Sequence, residues 1–251
     1  MKIAVYTALY GEKDNLRPPL DYVEDTVIDY FVFTDMASIN VAPYKTVTSA
    51  AKFLDIAKNA RYFKIMGDKI MQGYDYVIWH DANIQLRYQG IYQLISKTGP
   101  TYLTIFTSPN RNDFYSEAMS CIRVNKDFSL RILKQVIIYF IHGMPAHSGM
   151  YATGILIRKK SFEDLNAMMF WWRQTLNYSR RDQLSLAYTE YKNKLNITCI
   201  EDDIFDNAYS VYHAHNYNYY KERNNLMRYN FGILKKLSFF SVLLLRKLKK
   251  L

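Results

Sequence analysis

Short apolar runs of strand character alternate with segments of helical periodicity along most of this chain. The strand candidates are 3–9, 30–35, 74–81, 102–106 and 149–157, and the helix candidates are 49–71, 129–141, 162–176 and 182–195. Such alternation favours one mixed, mainly parallel sheet with helices on both of its faces. The sequence therefore predicts an α/β fold, in which ligands bind beyond the carboxyl ends of the strands.

One strand candidate runs directly into Asp81-Ala82-Asn83. Because side chains alternate along a strand, Asp81 and Asn83 are expected on the same side. Mg²⁺ and Mn²⁺ prefer oxygen ligands, so this pair suits a cation that also holds a diphosphate. The same tripeptide is also ordinary turn chemistry at the end of a strand. Both interpretations stay open at this point.

Polar residues also follow the first two strand candidates. Thr7, Tyr10 and Gly11 lie at the end of the first, and Asp35 ends the second. Their position predicts a donor-binding role at the same edge as Asp81. For Asp35 the alternative is that it caps the turn after its strand.

Three basic residues could bind phosphate. Arg61 and Lys64 lie in the helix candidate 49–71, and Arg111 follows a strand candidate, with Glu117 in the next segment. Arginine offers a planar fork that matches phosphate oxygens, and lysine a compact charge. The alternative for Arg61 and Lys64 is a solvated helix face.

A dense polar stretch contains Ser179, Arg181 and Asp182 at the start of a helix candidate. Ser179 could cap that helix, and Asp182 would favour its positive end. Alternatively, Asp182 could contact an acceptor hydroxyl as a general base or as an orienting group. Arg181 makes the stretch more polar than a cap requires.

Two late histidines, His213 and His215, lie two residues apart. Neutral imidazole is a good ligand for Mn²⁺, and an extended backbone would direct both rings to one side. Histidine pairs at this spacing frequently have no function. Sequence patterns for P-loop, dinucleotide-binding, serine-hydrolase and zincin sites do not occur.

The net charge of +10 lies mostly in the last residues, because segment 221–251 contains nine basic residues and one glutamate. The nearly balanced remainder argues against a nucleic-acid-binding face. The chain opens with a strand pattern rather than a signal peptide, and its two cysteines lack metal-ligand spacing, which favours a cytoplasmic location. We expect a domain over 1–220 and a basic amphipathic tail over 221–251.

The tail places Phe and Leu residues between Lys235-Lys236 and the basic run that begins at Arg246. This apolar run is too short to span a bilayer, but basic flanks suit an interfacial helix on anionic lipid. The alternative is a terminal helix packed on the sheet with its lysines in water. We expect a peripheral position at the inner face of the cell membrane.

The chain resembles a family of glycosyltransferase-like proteins of bacterial polysaccharide loci and plant mucilage-related proteins, formerly a domain of unknown function. The resemblance covers roughly residues 1–215. It rests on segments in the family's order: 3–11, Phe33-Thr34-Asp35, 60–64, 78–83, Arg111 with Glu117, Gly143-Met144-Pro145 and 179–184.

The resemblance implies a GT-A-like fold in which Asp81 and Asn83 hold Mn²⁺ or Mg²⁺ and the donor diphosphate, with His213 or His215 as a late ligand. Many GT-A enzymes have a second aspartate where this chain has Asn83. The implied activity transfers a sugar from a nucleotide-sugar donor to a glycan or lipid-linked acceptor in cell-surface polysaccharide assembly, with Asp182, Arg181 and Glu117 as catalytic candidates. The alternative is a non-catalytic or hydrolytic membrane-surface protein that binds a nucleotide or lipid headgroup.

Overall fold

A computed structural model of the protein describes residues 1–11, 14–36, 38–216 and 232–249. Within these residues the strands are β1 Ile3–Leu9, β2 Ile28–Thr34, β3 Lys45–Thr48, β4 Tyr76–His80, β5 Ile84–Leu86, β6 Leu103–Thr107, β7 Tyr151–Lys159, β8 Ile197–Ile200 and β9 Ser210–Tyr212. The helices are α1 Ile56–Met66, α2 Tyr88–Ser96, α3 Phe114–Arg123, α4 Ser129–Ile141, α5 Leu165–Asn177, α6 Asp182–Asn193 and α7 Gly232–Leu248.

The central sheet has seven strands in the order β3-β2-β1-β4-β7-β6-β8. Strand β7 runs antiparallel to β4 and β6, and the other neighbouring pairs are parallel. A separate two-stranded antiparallel sheet pairs β5 with β9. The predicted α/β fold with a mixed, mainly parallel sheet is confirmed.

The chain reverses its direction of travel across the sheet at β1. Strands β2 and β3 lie on one side of β1, whereas β4 lies on the other side. A crevice opens beyond the carboxyl ends of parallel strands at such a switch point, and ligands bind there. Asp81 directly follows β4 and therefore lies at this edge of the sheet.

The core has a layer on each face of the sheet. Strand β1 is buried throughout, and its alternating side chains divide between the layers. Ile3 and Val5 pack in the layer that contains Ile91 of α2. Ala4 and Tyr6 pack in the opposite layer with residues from α1, α5 and α6. The predicted helices on both faces of the sheet are therefore present.

A third apolar cluster lies between helices rather than on the sheet. It joins side chains of α3, α4 and α6, and Val242 of α7 is buried within it. The part of the tail from 232 to 249 thus packs on helices α3 and α4, not on the sheet as the alternative interpretation expected. Residues 217–231, which contain the expected boundary near 220, lie outside the described residues. None of the described helices combines the length and apolar character that crossing a membrane requires.

Helix α1 is shorter than the predicted segment 49–71. Its first turn is capped by Asp55, whose side chain accepts a hydrogen bond from the backbone N–H of Ala57. Upstream, the Asn59 side chain accepts from the backbone N–H groups of Lys52 and Phe53 and holds that stretch as a loop. Gly67, with φ of +67°, ends the helix.

Candidate functional site

Four charged side chains meet beyond the carboxyl end of β4. The Asp182 carboxylate lies 2.9 Å from Arg61 Nε and 2.7 Å from Lys64 Nζ. Lys64 Nζ also lies 3.2 Å from Asp81 Oδ1, and Arg61 Nη1 lies 3.9 Å from the same oxygen. We call these four residues the charge cluster. It joins two cations of α1 to the first residue of α6 and the end of β4.

The members of the charge cluster differ in burial. Lys64 and Asp182 are fully buried, whereas the Asp81 side chain is 28% exposed. Positions 61 and 64 are three apart and so lie on one side of α1. The solvated helix face considered for Arg61 and Lys64 is therefore wrong, because both lie against the acids. Asp81 is the member that a ligand in the crevice can reach most readily.

Burial and charge act in opposite directions on the pKa of Asp182. Burial raises the pKa of this carboxyl, but the charges of Arg61, Lys64 and Arg181 outweigh burial and hold the pKa well below its usual range. Burial lowers the pKa of Lys64, and Asp182 and Asp81 oppose this only in part. Asp182 is consequently an ionised carboxylate across the physiological pH range.

Two residues that the sequence analysis missed complete the charge cluster. Thr153 of β7 donates its hydroxyl to Asp182 Oδ2 at 2.8 Å and accepts from Lys64 Nζ at 3.1 Å. The Trp79 indole N–H donates to Asp81 Oδ1 at 2.9 Å. A threonine and a tryptophan within strands carry no sequence signal for this role, since both are common in sheets.

The backbone turns directly after Asp81. Strand β4 ends at His80, and the Ile84 N–H donates to the Asp81 carbonyl at 2.8 Å, which closes a turn over residues 81–84. The expectation that Asp81 and Asn83 alternate along an extended strand is therefore wrong, and the turn interpretation describes the backbone correctly. Turn chemistry and a ligand role are compatible, because the Asp81 side chain stays 28% exposed.

His80 holds this turn in place. Its Nδ1–H donates to the Ile84 carbonyl at 2.8 Å, and its Nε2 accepts from the Tyr44 hydroxyl at 3.0 Å. Both ring nitrogens are thus engaged by neutral groups. Burial lowers the pKa of His80 from 6.5 to about 4, so the ring is neutral near pH 7.

Asn83 is tied to the segment after β9. Its side-chain amide donates to the His213 carbonyl at 2.9 Å, and the His213 N–H donates to the Asn83 carbonyl at 2.9 Å. The His213 ring Nε2 contacts Gln85 Oε1 at 2.9 Å. Burial lowers the pKa of His213, which favours the neutral ring that a metal ligand requires. The structure therefore brings Asn83 and His213 together.

His215 has a different neighbour. Its Nδ1 lies 2.6 Å from Asp14 Oδ1, and Asp14 is buried. His213 and His215 thus contact Gln85 and Asp14, respectively, rather than one shared partner. Asp14 and Gln85 carried no motif in the sequence and were not predicted.

A second polar group surrounds Glu117 of α3. Arg111 Nη1 lies 2.9 Å from Glu117 Oε2, Arg181 Nη2 lies 4.0 Å from Glu117 Oε1, and the Cys121 thiol donates to Oε1 at 3.2 Å. Arg111 and Glu117, which the sequence analysis named together, are therefore in direct contact. Burial raises the pKa of Cys121 to about 12, so the thiol stays protonated. Arg181 connects this group to the adjacent Asp182.

The expected helix cap at Ser179 is wrong. The Ser179 hydroxyl is buried and donates to Gln135 Oε1 at 2.5 Å. Helix α6 begins after Arg181, which makes no side-chain capping bond. The Asp182 carboxylate contacts Arg61 and Lys64 instead of serving only the helix end. The orientations of Ser179 and Asp182 are therefore set by tertiary contacts with α4 and α1, respectively.

The donor-binding candidates in and directly after β1 and β2 differ in burial and in their contacts. Thr7 is buried within β1, and its hydroxyl has no hydrogen-bond partner among the described residues. The Tyr10 ring is buried and stacked on Phe63, and its hydroxyl donates to the Ser49 carbonyl at 3.1 Å. Gly11 has φ of +68°, which favours glycine. Asp35 is exposed after β2, and the hydroxyl that accepts the turn's hydrogen bond belongs to Thr34 rather than to Asp35.

The donor groups at the end of β4 fit a hard divalent cation. Across the part of the chain that the structure describes, no three His, Cys, Asp or Glu side chains form a metal cage. Mg²⁺ does not need such a cage, because it is commonly bound through one or two carboxylates together with substrate phosphates and water. Asp81 offers a partly exposed carboxylate beside the Asn83 turn.

Comparison with known proteins gives one family match. The sequence model of the TOD1/MUCI70, glycosyltransferase-like domain matches residues 1–215. No curated protein matches the chain. Among solved structures, the apo form of mouse xyloside xylosyltransferase 1 superposes with a TM-score of 0.44 at 7% sequence identity, over 79% of this chain and 84% of that one.

Proposed function

Because the chain belongs to the TOD1/MUCI70 glycosyltransferase-like domain family, we propose that it moves a sugar from a nucleotide-sugar donor to a glycan or lipid-linked acceptor in cell-surface polysaccharide assembly. The observation that carries this proposal is the charge cluster at the switch point of the sheet, where Asp81 meets Lys64, Arg61 and Asp182. A crevice with fixed charges of both signs suits a substrate with a diphosphate and a sugar.

The donor would lie across the ends of β1, β2 and β4. Gly11 and Asp35 follow β1 and β2, and a nucleoside there would direct its diphosphate toward Asp81 at the next strand end. Arg111, partly exposed and held by Glu117, adds a guanidinium fork for phosphate oxygens. We propose that these residues bind and orient the donor.

A Mn²⁺ or Mg²⁺ ion would be held by Asp81, with Asn83 and His213 beside it. When bound, such an ion neutralises charge on a diphosphate leaving group. Trp79 and Lys64 fix Asp81 Oδ1 by donating to it, so the carboxylate is oriented before any ligand arrives. His80 holds the turn that sets the direction of this side chain.

Because Asp182 is fully buried, it is better suited to positioning its cationic neighbours than to accepting a proton. A general base works best with a pKa near the operating pH, but nearby cations hold the pKa of Asp182 far below that range. Its fixed negative charge would instead hold the side chains of Arg61 and Lys64 in place beside Asp81. Arg181 and Glu117 would shape the adjoining part of the crevice.

The proposal is tested with purified protein and a panel of sugar nucleotides, each with and without Mn²⁺. A donor that binds the folded state raises the melting temperature by mass action. We expect at least one sugar nucleotide to stabilise the protein, with a larger shift when Mn²⁺ is present. The matching donor is then used to measure sugar transfer separately from donor hydrolysis.

The decisive variant is Asp81→Asn, which removes one negative charge and keeps the size of the side chain. In this variant we expect the Mn²⁺-dependent shift in melting temperature to be lost and the rate of nucleoside diphosphate release to fall at least about 100-fold. The matched control is Asp21→Asn, because Asp21 is exposed and its contact with Arg87 lies at 3.5 Å on the surface. Undiminished donor binding and turnover in Asp81→Asn would refute the metal assignment. Donor consumption without a transferred sugar would favour a hydrolase.

A further inference from the structure

Helix α7 presents an uncovered apolar row along its length. Ile233, Leu237, Phe240, Leu244 and Leu248 recur at spacings of three and four, which keeps them on one side of a helix. Each of these side chains is between 49% and 75% exposed. We call these five residues the apolar row. A contiguous exposed row of this size marks an interaction surface rather than scattered surface residues.

The opposite side of α7 is fixed to the protein. Ser238 and Val242 are buried, and Phe239 and Leu245 pack against the cluster formed with α3 and α4. Arg246 Nε lies 2.8 Å from the buried Asp113 carboxylate at the start of α3. The apolar row is therefore mounted on a folded body. Its binding needs no coil-to-helix transition, and ordering entropy does not weaken it.

The charged residues of α7 itself all have one sign. Residues 232–249 contain Lys235, Lys236, Arg246, Lys247 and Lys249 and neither aspartate nor glutamate. Lys236 and Lys247 are exposed, and their helical positions place them beside the apolar row along one of its edges. Apolar side chains flanked by lysines complement the acyl boundary and the anionic headgroups of a lipid surface.

We propose that the apolar row and its flanking lysines dock this protein on an anionic lipid surface, with α7 lying parallel to that surface. A second copy of the chain fits this face less well, because a twofold pairing of α7 would bring the lysines of both copies together. Electrostatic complementarity at an interface requires opposite charges to face each other. Lipid phosphates meet that requirement, because their negative charges can pair with lysines at any position along α7.

Docking through α7 would join the lipid surface to α3, a helix on which α7 packs. Asp113, which binds Arg246, also caps α3, and α3 carries Glu117 beside Arg111. A rigid path of one ion pair and one helix thus connects the lipid-facing helix to the candidate site. The docking proposal itself does not depend on sugar transfer, and its test contains no donor or metal.

The test is flotation of the full-length protein with vesicles of phosphatidylcholine alone or with about 30% phosphatidylglycerol, a fraction chosen for a strongly negative surface potential. We expect binding to the anionic vesicles that weakens as salt is raised, since screening shortens the reach of the lysine charges. Equal binding to both vesicle types, or none to either, would overturn the proposal.

Two variants test the apolar row and its flanking lysines in turn. Phe240→Glu with Leu244→Glu should weaken binding to anionic vesicles at least about tenfold, and Lys236→Glu with Lys247→Glu should do so by a similar factor. The matched control is Phe162→Glu with Leu165→Glu, which places the same charges on exposed apolar residues elsewhere and should leave vesicle binding unchanged. If the control falls as far as the α7 variants, the proposal is wrong.

Sedimentation velocity distinguishes lipid docking from self-association. The wild-type protein and the Phe240→Glu, Leu244→Glu variant should sediment alike in the absence of lipid, because the proposed occupant is a vesicle. A wild-type dimer that the variant converts to a monomer would assign the apolar row to a second copy and refute lipid docking. Circular dichroism melts show whether each variant keeps the wild-type fold.

Discussion

The two ends of strand β4 each carry an aspartate, but in opposite physical environments. Asp75 precedes the strand, is 60% exposed, and lies 3.7 Å from the N-terminal ammonium group. Asp81 follows the strand and lies 3.2 Å from the fully buried Lys64, which also pairs with the buried Asp182. The comparison illustrates that the contribution of an ion pair to stability depends more on its surroundings than on the distance between its charges. Exposed pairs are screened by water, whereas buried pairs depend on each partner.

The largest expected effect is at the buried end. Asp182→Asn removes the carboxylate that compensates Lys64 and Arg61, and breaking a buried pair in this way typically destabilises a protein by about 3–5 kcal/mol. We expect a loss of that size in the free energy of unfolding, measured by urea denaturation near pH 7.

A double-mutant cycle checks the cause. Lys64→Met combined with Asp182→Asn should lose less stability than the two single variants added together, because the pair is broken only once. Strict additivity, or a single-variant loss below about 1 kcal/mol, would mean that the pair behaves like an exposed one.

The next effect is a pH dependence that arises from His80, the last residue of β4. The pKa of His80 is about 4 in the folded protein and 6.5 when unperturbed, so between these values the unfolded state binds more protons. Stability from the neutral ring is complete above pH 6.5 and is lost as pH falls toward 4, by roughly 3 kcal/mol. The negative charge of Asp81 raises the pKa of His80 and so opposes the effect of burial, but only in part.

Denaturation curves at intervals from pH 7 to pH 4 measure this effect. The variant His80→Gln should be less stable near pH 7, because it loses the turn contacts, and its stability should change less across the same range. A variant with the same acid dependence as the wild type would assign the effect to other groups.

A smaller effect is expected from packing behind the Asp81 turn. A Cβ added at Gly154 would lie 2.6 Å from Ile84 Cδ1 and 3.0 Å from Ile204 Cδ1. Gly154→Ala should destabilise by about 1 kcal/mol, since two flexible side-chain ends must move. Gly232→Ala is the matched control, because among the described residues only its own helix and chain neighbours lie within 4 Å of the added carbon. Equal unfolding curves for both variants would show that the side chains of Ile84 and Ile204 can move aside at no cost in stability.

The smallest effect is expected at the exposed end. Asp75→Asn makes the same chemical change as Asp182→Asn but should alter the free energy of unfolding by less than about 1 kcal/mol. The effect should shrink further in high salt because an exposed pair is screened. A loss comparable with that of Asp182→Asn would remove the contrast between the two ends.

Several predictions from the sequence are confirmed because they rest on local patterns. Helix α4 has the predicted bounds, 129–141, and the first strand has the predicted bounds, 3–9. The family resemblance over residues 1–215 is also confirmed. The start of α1 was predicted seven residues too early, because periodicity does not reveal that Asn59 holds the preceding loop.

The candidate site was predictable as a set of residues but not as an arrangement. Arg61, Asp81 and Asp182 were each singled out, yet their mutual distances depend on how α1, β4 and α6 pack together. The extended backbone expected from Asp81 to Asn83 is wrong, because residues 81–84 form a turn. Thr153 was missed because nothing in its neighbourhood along the chain relates it to Asp182.

The amino-acid sequence by itself determined the α/β class, the family and the basic amphipathic character of the C-terminal segment, since hydrophobic periodicity, motif order and charge are properties of neighbouring residues. Only the tertiary structure decided that Lys64 is buried between two aspartates and that α7 packs one side on α3 and α4 while the other faces solvent. Lys64 and Asp182 are far apart along the chain, and their ionic contact forms only when the sheet brings their helices together. Burial then sets the strength of that contact.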